Sequence, residues 1–170
     1  MAGTPALSFE PELLLRAQGS GMGMKAAIID VDGVLTDGTL FVGADGEVMK
    51  PFSVLDGHGL KLLRAGGIEP LVITGRDSAA VRRRLADLGL ARVVFGAGDK
   101  LAAAEQQLAE IGVGGADAAV IGDDWPDLPL LDRAGFAAAP PNAHAEVRAA
   151  AHYVTRARGG EGAARGVAGH

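Results

Sequence analysis

The sequence predicts an α/β protein built on a doubly wound, mainly parallel sheet, with a small β-hairpin flap and no large cap domain. Three observations predict it. From Lys25 onward, short apolar runs alternate with amphipathic stretches of helical period, the pattern of βαβ units. An Asp-Gly pair at Asp45–Gly46 lies between two β-prone arms just after the first apolar run, which reads as a hairpin. Finally, there is room only for that hairpin at Thr39–Phe52, and the spacing of the later polar motifs leaves no place for a larger insertion.

In chain order, residues 1–24 end in "GSGMGM" after the short apolar piece Leu13–Leu15 and are expected to be a flexible leader. "KAAIID" reads as the first strand. "GLKLLRAGG" is a helix stopped by glycines, and "IEPLVIT" a strand. "DSAAVRRRLADLG" puts Val81, Leu85 and Leu88 on one helical face, with Asp77 expected as N-cap. "ARVVFG" is a strand, "DKLAAAEQQLAEIG" a helix with Leu101, Leu108 and Ile111 on one stripe, and "ADAAVIGD" a further strand. Pro140–Pro141 mark a loop before a short helix containing Val147. The body is therefore expected over 25–155, and the glycine-rich segment 156–170 as a flexible tail.

The 170 residues suffice for one domain with a real core, drawn from Ala, Val, Leu and Ile because only 4% of the chain is aromatic. A formal net charge of −5 gives no general attraction to nucleic acid or to an anionic membrane. An anionic ligand must then be captured locally. The absence of cysteine removes disulfides and thiolate metal sites and fits a reducing compartment. With apolar runs too short to span a bilayer and no charged-then-apolar start, a cytoplasmic protein is expected.

The chemistry gathers where strands end, since ligands of doubly wound sheets bind outside the carboxyl ends of the strands. "IIDVDGVLTDG" places Asp30 and Asp32 two residues apart behind a buried run, and two carboxylates leaving water together need a cation or a proton. Thr74-Gly75-Arg76 ends a second strand, Gly122-Asp123-Asp124 a later one, and Lys100 opens the helix after "RVVF". A single aspartate after a strand is ordinarily a turn residue. Turns do not require paired acids, however, and Asp30 and Asp32 with Asp123 form a hard-oxygen set suited to Mg²⁺ and a phosphate. One carboxylate can attack phosphorus while the other protonates the leaving oxygen, with Thr74 and Lys100 holding the phosphoryl oxygens. Arg76 could take a substrate carboxylate bidentately. His58 reads as a loop histidine within reach of substrate near the flap, Asp127 as a cap of the next helix with a direct site role as the alternative, and Arg82–Arg84 as a solvated helix face.

"DVDGVLTDG", "ITGR", the downstream lysine and "GDDWPD" together resemble, in order and spacing, the four signature motifs of the haloacid dehalogenase superfamily. The resemblance runs from about Lys25 to about Arg165. It implies a Rossmann-like phosphatase fold in which Asp30 is nucleophile and Mg²⁺ ligand, and Asp32 is the general acid/base that also offers its backbone carbonyl to the metal. It further implies that Thr74 and Lys100 bind phosphate and that Asp123 completes the Mg²⁺ site; Gly75, Arg76 and His58 are expected near the substrate from their places at the strand edge and near the flap. "DGHGLKLL" and "APPNAHAEVRAAAHYVTRARGGEGA" are similar to capless, tetrameric members that act on an acidic sugar phosphate in lipopolysaccharide precursor synthesis. They imply a small-molecule sugar phosphate substrate and a homotetramer in which flap and tail cover a neighbouring site. The same mechanism would serve a nine-carbon keto-deoxy or sialic acid phosphate. A degenerate, non-catalytic relative would be expected to lack Asp30, Asp32 or Asp123, and all three are present.

Overall fold

The computed structural model describes residues 23–168. The leader expected over 1–24 lies almost wholly outside the described residues. Six strands form one parallel sheet in the order β5-β4-β1-β6-β7-β8: β1 Ala26–Ile29, β4 Glu69–Ile73, β5 Val93–Val94, β6 Ala118–Ile121, β7 Phe136–Ala139 and β8 Tyr153–Val154. A separate antiparallel pair, β2 Phe41–Gly43 and β3 Gly46–Met49, is the flap. Helices α1 Val54–Ala65, α2 Ala79–Asp87, α3 Lys100–Glu110, α4 Leu128–Arg133, α5 Ala145–Ala150 and α6 Ala163–Ala168 complete the described chain.

The alternation of side chains along a strand divides the core between the two faces of the sheet. Ala27 and Ile29 of β1 face Leu60 and Leu63 of α1, Val81 and Leu85 of α2, and Ala163 and Ala164 of α6. Ala26 and Ile28 face the opposite layer, with Ala104 and Leu108 of α3, Leu130 and Leu131 of α4, and Val147 of α5. A buried β1 with β4 and β6 on either side is the consequence, and it decides which loops meet at the carboxyl edge.

Three expectations are corrected. The hairpin pairs Gly43 with Gly46, so Ala44 and Asp45 make the turn, and Gly46 at φ +112° occupies the first paired position instead of a turn position. The N-cap of α2 is Ser78, whose side chain accepts from Val81 N at 3.3 Å, because Asp77 is engaged by Arg82 at 2.6 and 2.8 Å. The tail expected to be flexible packs on the body over 156–168. Buried Asp56 of α1 accepts the backbone N–H groups of Gly162 and Arg165, both at 3.1 Å, and so ties down the start of α6. Gly160 N donates to Val34 O at 3.0 Å, and a Cβ at Gly159 would run into the Gly33 carbonyl. Glycine serves close approach there, where composition had suggested mobility.

Candidate active site

The residue that follows β1 at the carboxyl edge is Asp30, 7% exposed. Its Oδ1 accepts from Val31 N at 2.7 Å, and its Oδ2 lies 2.9 Å from Lys100 Nζ. Lys100 is the first residue of α3, and the Asp99 cap turns the chain so that the lysine enters the sheet edge instead of solvent. Its ammonium also donates to Asp127 Oδ1 at 2.8 Å. Asp127 closes a short turn after β6: its Oδ2 accepts from Asp123 N at 3.0 Å and from Asp124 N at 3.4 Å. Asp127 stands at the N-cap position of α4, as expected, but its side chain makes no cap bond to that helix: it closes the preceding turn instead, and the same carboxylate is buried against the candidate site.

Asp30, Asp123 and Asp127 each present an oxygen within 4.8 Å of the other two. Burial pushes Asp30 well above the usual carboxylate range, and Asp127 adds to this against the opposing pull of Lys100. Burial and the neighbouring Asp127 likewise raise Asp123 to about 6. Burial pulls Lys100 down, but Asp30 and Asp127 outweigh it and hold the ammonium above its ordinary range. One cation therefore faces three crowded carboxylates. A hard divalent ion fits this donor set: three carboxylate oxygens converge, and a single ammonium, that of Lys100, is paired with two of those acids. When bound, such an ion supplies charge neutralisation and Lewis-acid polarisation of a phosphoryl oxygen.

Asp32 takes a different direction. Its carboxylate is paired with Lys50, whose side chain has no exposed surface, so the two acids of the opening motif are each held by their own lysine. Gly33, at φ +85°, lets the backbone pass Asp123 where a Cβ would collide with its carboxylate. Thr74 directly follows β4 beside β1 and is fully buried, with its Oγ1 accepting from Arg76 N at 3.4 Å. Gly75 and Arg76 are exposed at the same edge. His58 lies within α1 and is exposed, so the loop expected around it is helical.

Sequence reasoning missed two residues here, Lys50 and Asn142, and gave a third, Asp127, less weight than its place warrants. Lys50 carried no motif signal beyond its place at the end of the hairpin. Asp127 is expected chiefly as a cap, with a direct site role as the alternative, and the third acid in "GDDWPD" is the signal for that role. Asn142 donates its amide to Gly33 O at 2.9 Å and accepts from Gly159 N at 2.7 Å, so it bridges the opening motif to the C-terminal segment.

Residues 89–166 match a model of haloacid dehalogenase-like hydrolases. A 3-deoxy-D-manno-octulosonate 8-phosphate phosphatase of Escherichia coli is 38% identical over 144 residues, covering 85% of this chain and 77% of that protein. The crystal structure of the phosphatase of the same name from Moraxella catarrhalis, in complex with magnesium ion, phosphate ion and a KDO molecule, superposes with a TM-score of 0.85 at 39% identity, covering 92% of this chain and 88% of that one. The cobalt-bound deoxy-D-mannose-octulosonate 8-phosphate phosphatase of Haemophilus influenzae superposes with a TM-score of 0.83 at 41% identity, covering 85% of each chain. The chain belongs to the haloacid dehalogenase-like hydrolases, as a phosphomonoester phosphatase that closely resembles these sugar-acid phosphate phosphatases.

Proposed function

We propose that the protein hydrolyses 3-deoxy-D-manno-octulosonate 8-phosphate to the free sugar acid and phosphate, a step of lipopolysaccharide precursor synthesis in the cytoplasm. The observation that carries the reading is the convergence of Asp30, Asp123, Asp127 and Lys100 at the carboxyl edge, in a chain so similar to phosphatases of that name. Asp30 and Asp123, with the backbone carbonyl of Asp32, are the proposed holders of Mg²⁺, and Asp127 lies close enough to join them.

In this reading an oxygen of Asp30 attacks phosphorus, the bond from phosphorus to the sugar oxygen breaks, and Asp32 gives that oxygen its proton. Asp32, now a carboxylate, takes a proton from water, which attacks the aspartyl-phosphate and releases phosphate and free Asp30. Thr74 and Lys100 hold the phosphoryl oxygens while charge moves over them. Arg76, with Gly75 and His58 near it in role, meets the sugar acid, and the exposure of the Arg76 side chain leaves it available to a carboxylate.

A homotetramer is proposed on the flap. Phe41, Val42, Val48 and Met49 are exposed there, as are Val54 and Leu55 at the start of α1, and such apolar side chains suit burial against a further copy. The C-terminal segment is docked on α1 of its own chain, which supports assigning the cover of a neighbouring site to the flap instead of the tail. Among the described residues no helix is long and apolar enough to cross a membrane. The test is phosphate release from eight- and nine-carbon sugar-acid phosphates and neutral sugar phosphates, with Mg²⁺ and with chelator. Preference for the eight-carbon acid with Mg²⁺ is expected. Equal rates across the panel, or full turnover in chelator, would count against the reading.

A further inference from the structure

The flap is joined to the body by polar contacts that end on Asp32. Lys50 follows β3, and its fully enclosed Nζ donates to Asp32 and lies 3.4 Å from Glu47 Oε2. Glu47, on β3, accepts in turn from Ser78 Oγ, the N-cap of α2. Enclosing an ammonium is costly unless carboxylates meet it. Of the two that do, one belongs to the flap and the other to the loop after β1. The outer surface of the flap is apolar and exposed, with Val42 at 68% and Val48 at 63%, so burial in this chain does not explain its seating.

We propose that Lys50 is a positioning residue for the leaving-group step: it orients the Asp32 carboxyl group and meets the negative charge that develops there as the proton passes to the departing oxygen. The proposal rests on the reading of Asp32 as general acid. The proton moved is that of Asp32, transferred as the phosphorus–oxygen bond breaks. The ion pair shows Asp32 as the carboxylate it becomes once its proton has passed to the departing oxygen, so Lys50 is placed to meet that charge as it develops in the transition state, which is the condition for an effect on rate. Because Glu47 and Lys50 are both carried by the flap, its seating and proton delivery depend on one arrangement.

The experiment measures kcat/KM with Mg²⁺ for substituted phenyl phosphates, from p-nitrophenyl, whose departure needs no proton, to unsubstituted phenyl, whose departure does. Lys50→Met is expected to lose about tenfold more on phenyl than on p-nitrophenyl phosphate, within the range of acid catalysis. Lys50→Arg should restore most of that difference, and Lys50→Met added to Asp32→Asn should steepen the dependence no further. A loss equal for every phenol overturns the proposal, since a role in folding, sugar recognition or phosphate binding acts on the whole series alike. If Lys50→Met does not fold, Glu47→Gln takes its place, with a smaller loss of the same dependence supporting the proposal and a uniform loss overturning it. Asp32→Asn alone separates the two levels: without leaving-group dependence in that variant, the acid assignment falls and this proposal with it.

Discussion

Replacing Lys100 by methionine removes the one cation seen between Asp30 and Asp127 while keeping most of the side-chain volume. Its Nζ lies 2.9 Å from one carboxylate and 2.8 Å from the other, and the three side chains are at most 9% exposed. Breaking a buried pair in this way costs about 3–5 kcal/mol, because the partners stay behind as uncompensated charge. Protonation sets a limit on that cost. Neutralising a carboxyl group with an ordinary value near 3.9 costs about 1.4 kcal/mol per pH unit above it, hence about 1.5 kcal/mol at pH 5 and about 5.6 kcal/mol at pH 8. At pH 8 protonation is no cheaper than the broken pair, so the full 3–5 kcal/mol is expected; at pH 5 a proton relieves much of it. The sign follows from the raised carboxyl values of the folded variant, which binds more protons than the unfolded chain above about pH 4, so its stability falls as pH rises. Urea unfolding in chelator at pH 5 and pH 8, wild type against Lys100→Met, should show a penalty larger by about 2–3 kcal/mol at pH 8. Mg²⁺ should recover part of it. An equal penalty at both pH values would refute the picture of one lysine holding crowded carboxylates.

Other perturbations test separate parts of the site. Asp30→Asn should abolish turnover while leaving the circular dichroism spectrum and a cooperative thermal transition intact, and turnover near the wild-type rate would show a different nucleophile. Because Asp123 is raised to about 6, the folded metal-free chain favours its proton below that value, and an ion must displace it. The Mg²⁺-induced rise in Tm should therefore grow as pH increases through about 6, and a rise independent of pH would remove Asp123 from the metal site. Arg76→Ala should lower kcat/KM for a carboxylated sugar phosphate by about one to two decades, about 1.5–3 kcal/mol, with a much smaller loss on p-nitrophenyl phosphate. Asp56→Ala leaves the N–H groups of Gly162 and Arg165 without their acceptor and should cost about 1–3 kcal/mol in urea unfolding. An unchanged midpoint would mean that α6 is held by its apolar contacts alone.

The order of strands and helices, the buried run before Asp30, and the places of Asp30, Thr74 and Asp123 at strand ends were legible in the sequence because each rests on a local pattern. A short apolar run bounded by polar residues, a helix of period 3.6 and a polar residue at a strand end are written within a few neighbouring positions. Less was legible where one residue could serve two ends. The glycines at 159 and 160 read as mobility, yet they allow the chain to lie against the backbone of 33–37. Asp127 fitted a cap of the following helix, yet its side chain closes the turn before it with one oxygen and reaches Lys100 across 27 residues with the other.

By itself, then, the sequence determined the α/β class, the hairpin and the set of acids at the strand ends, since backbone conformation and side-chain period follow from nearest neighbours in the chain. The tertiary structure alone decided how the acids divide. Placing β1 between β4 and β6 brings the residues after all three strands together, and α3 then delivers Lys100 to Asp30 and Asp127 while the flap delivers Lys50 to Asp32. Ion pairs depend on distances in space between charges far apart in the chain, and those distances come into being only when the sheet order does.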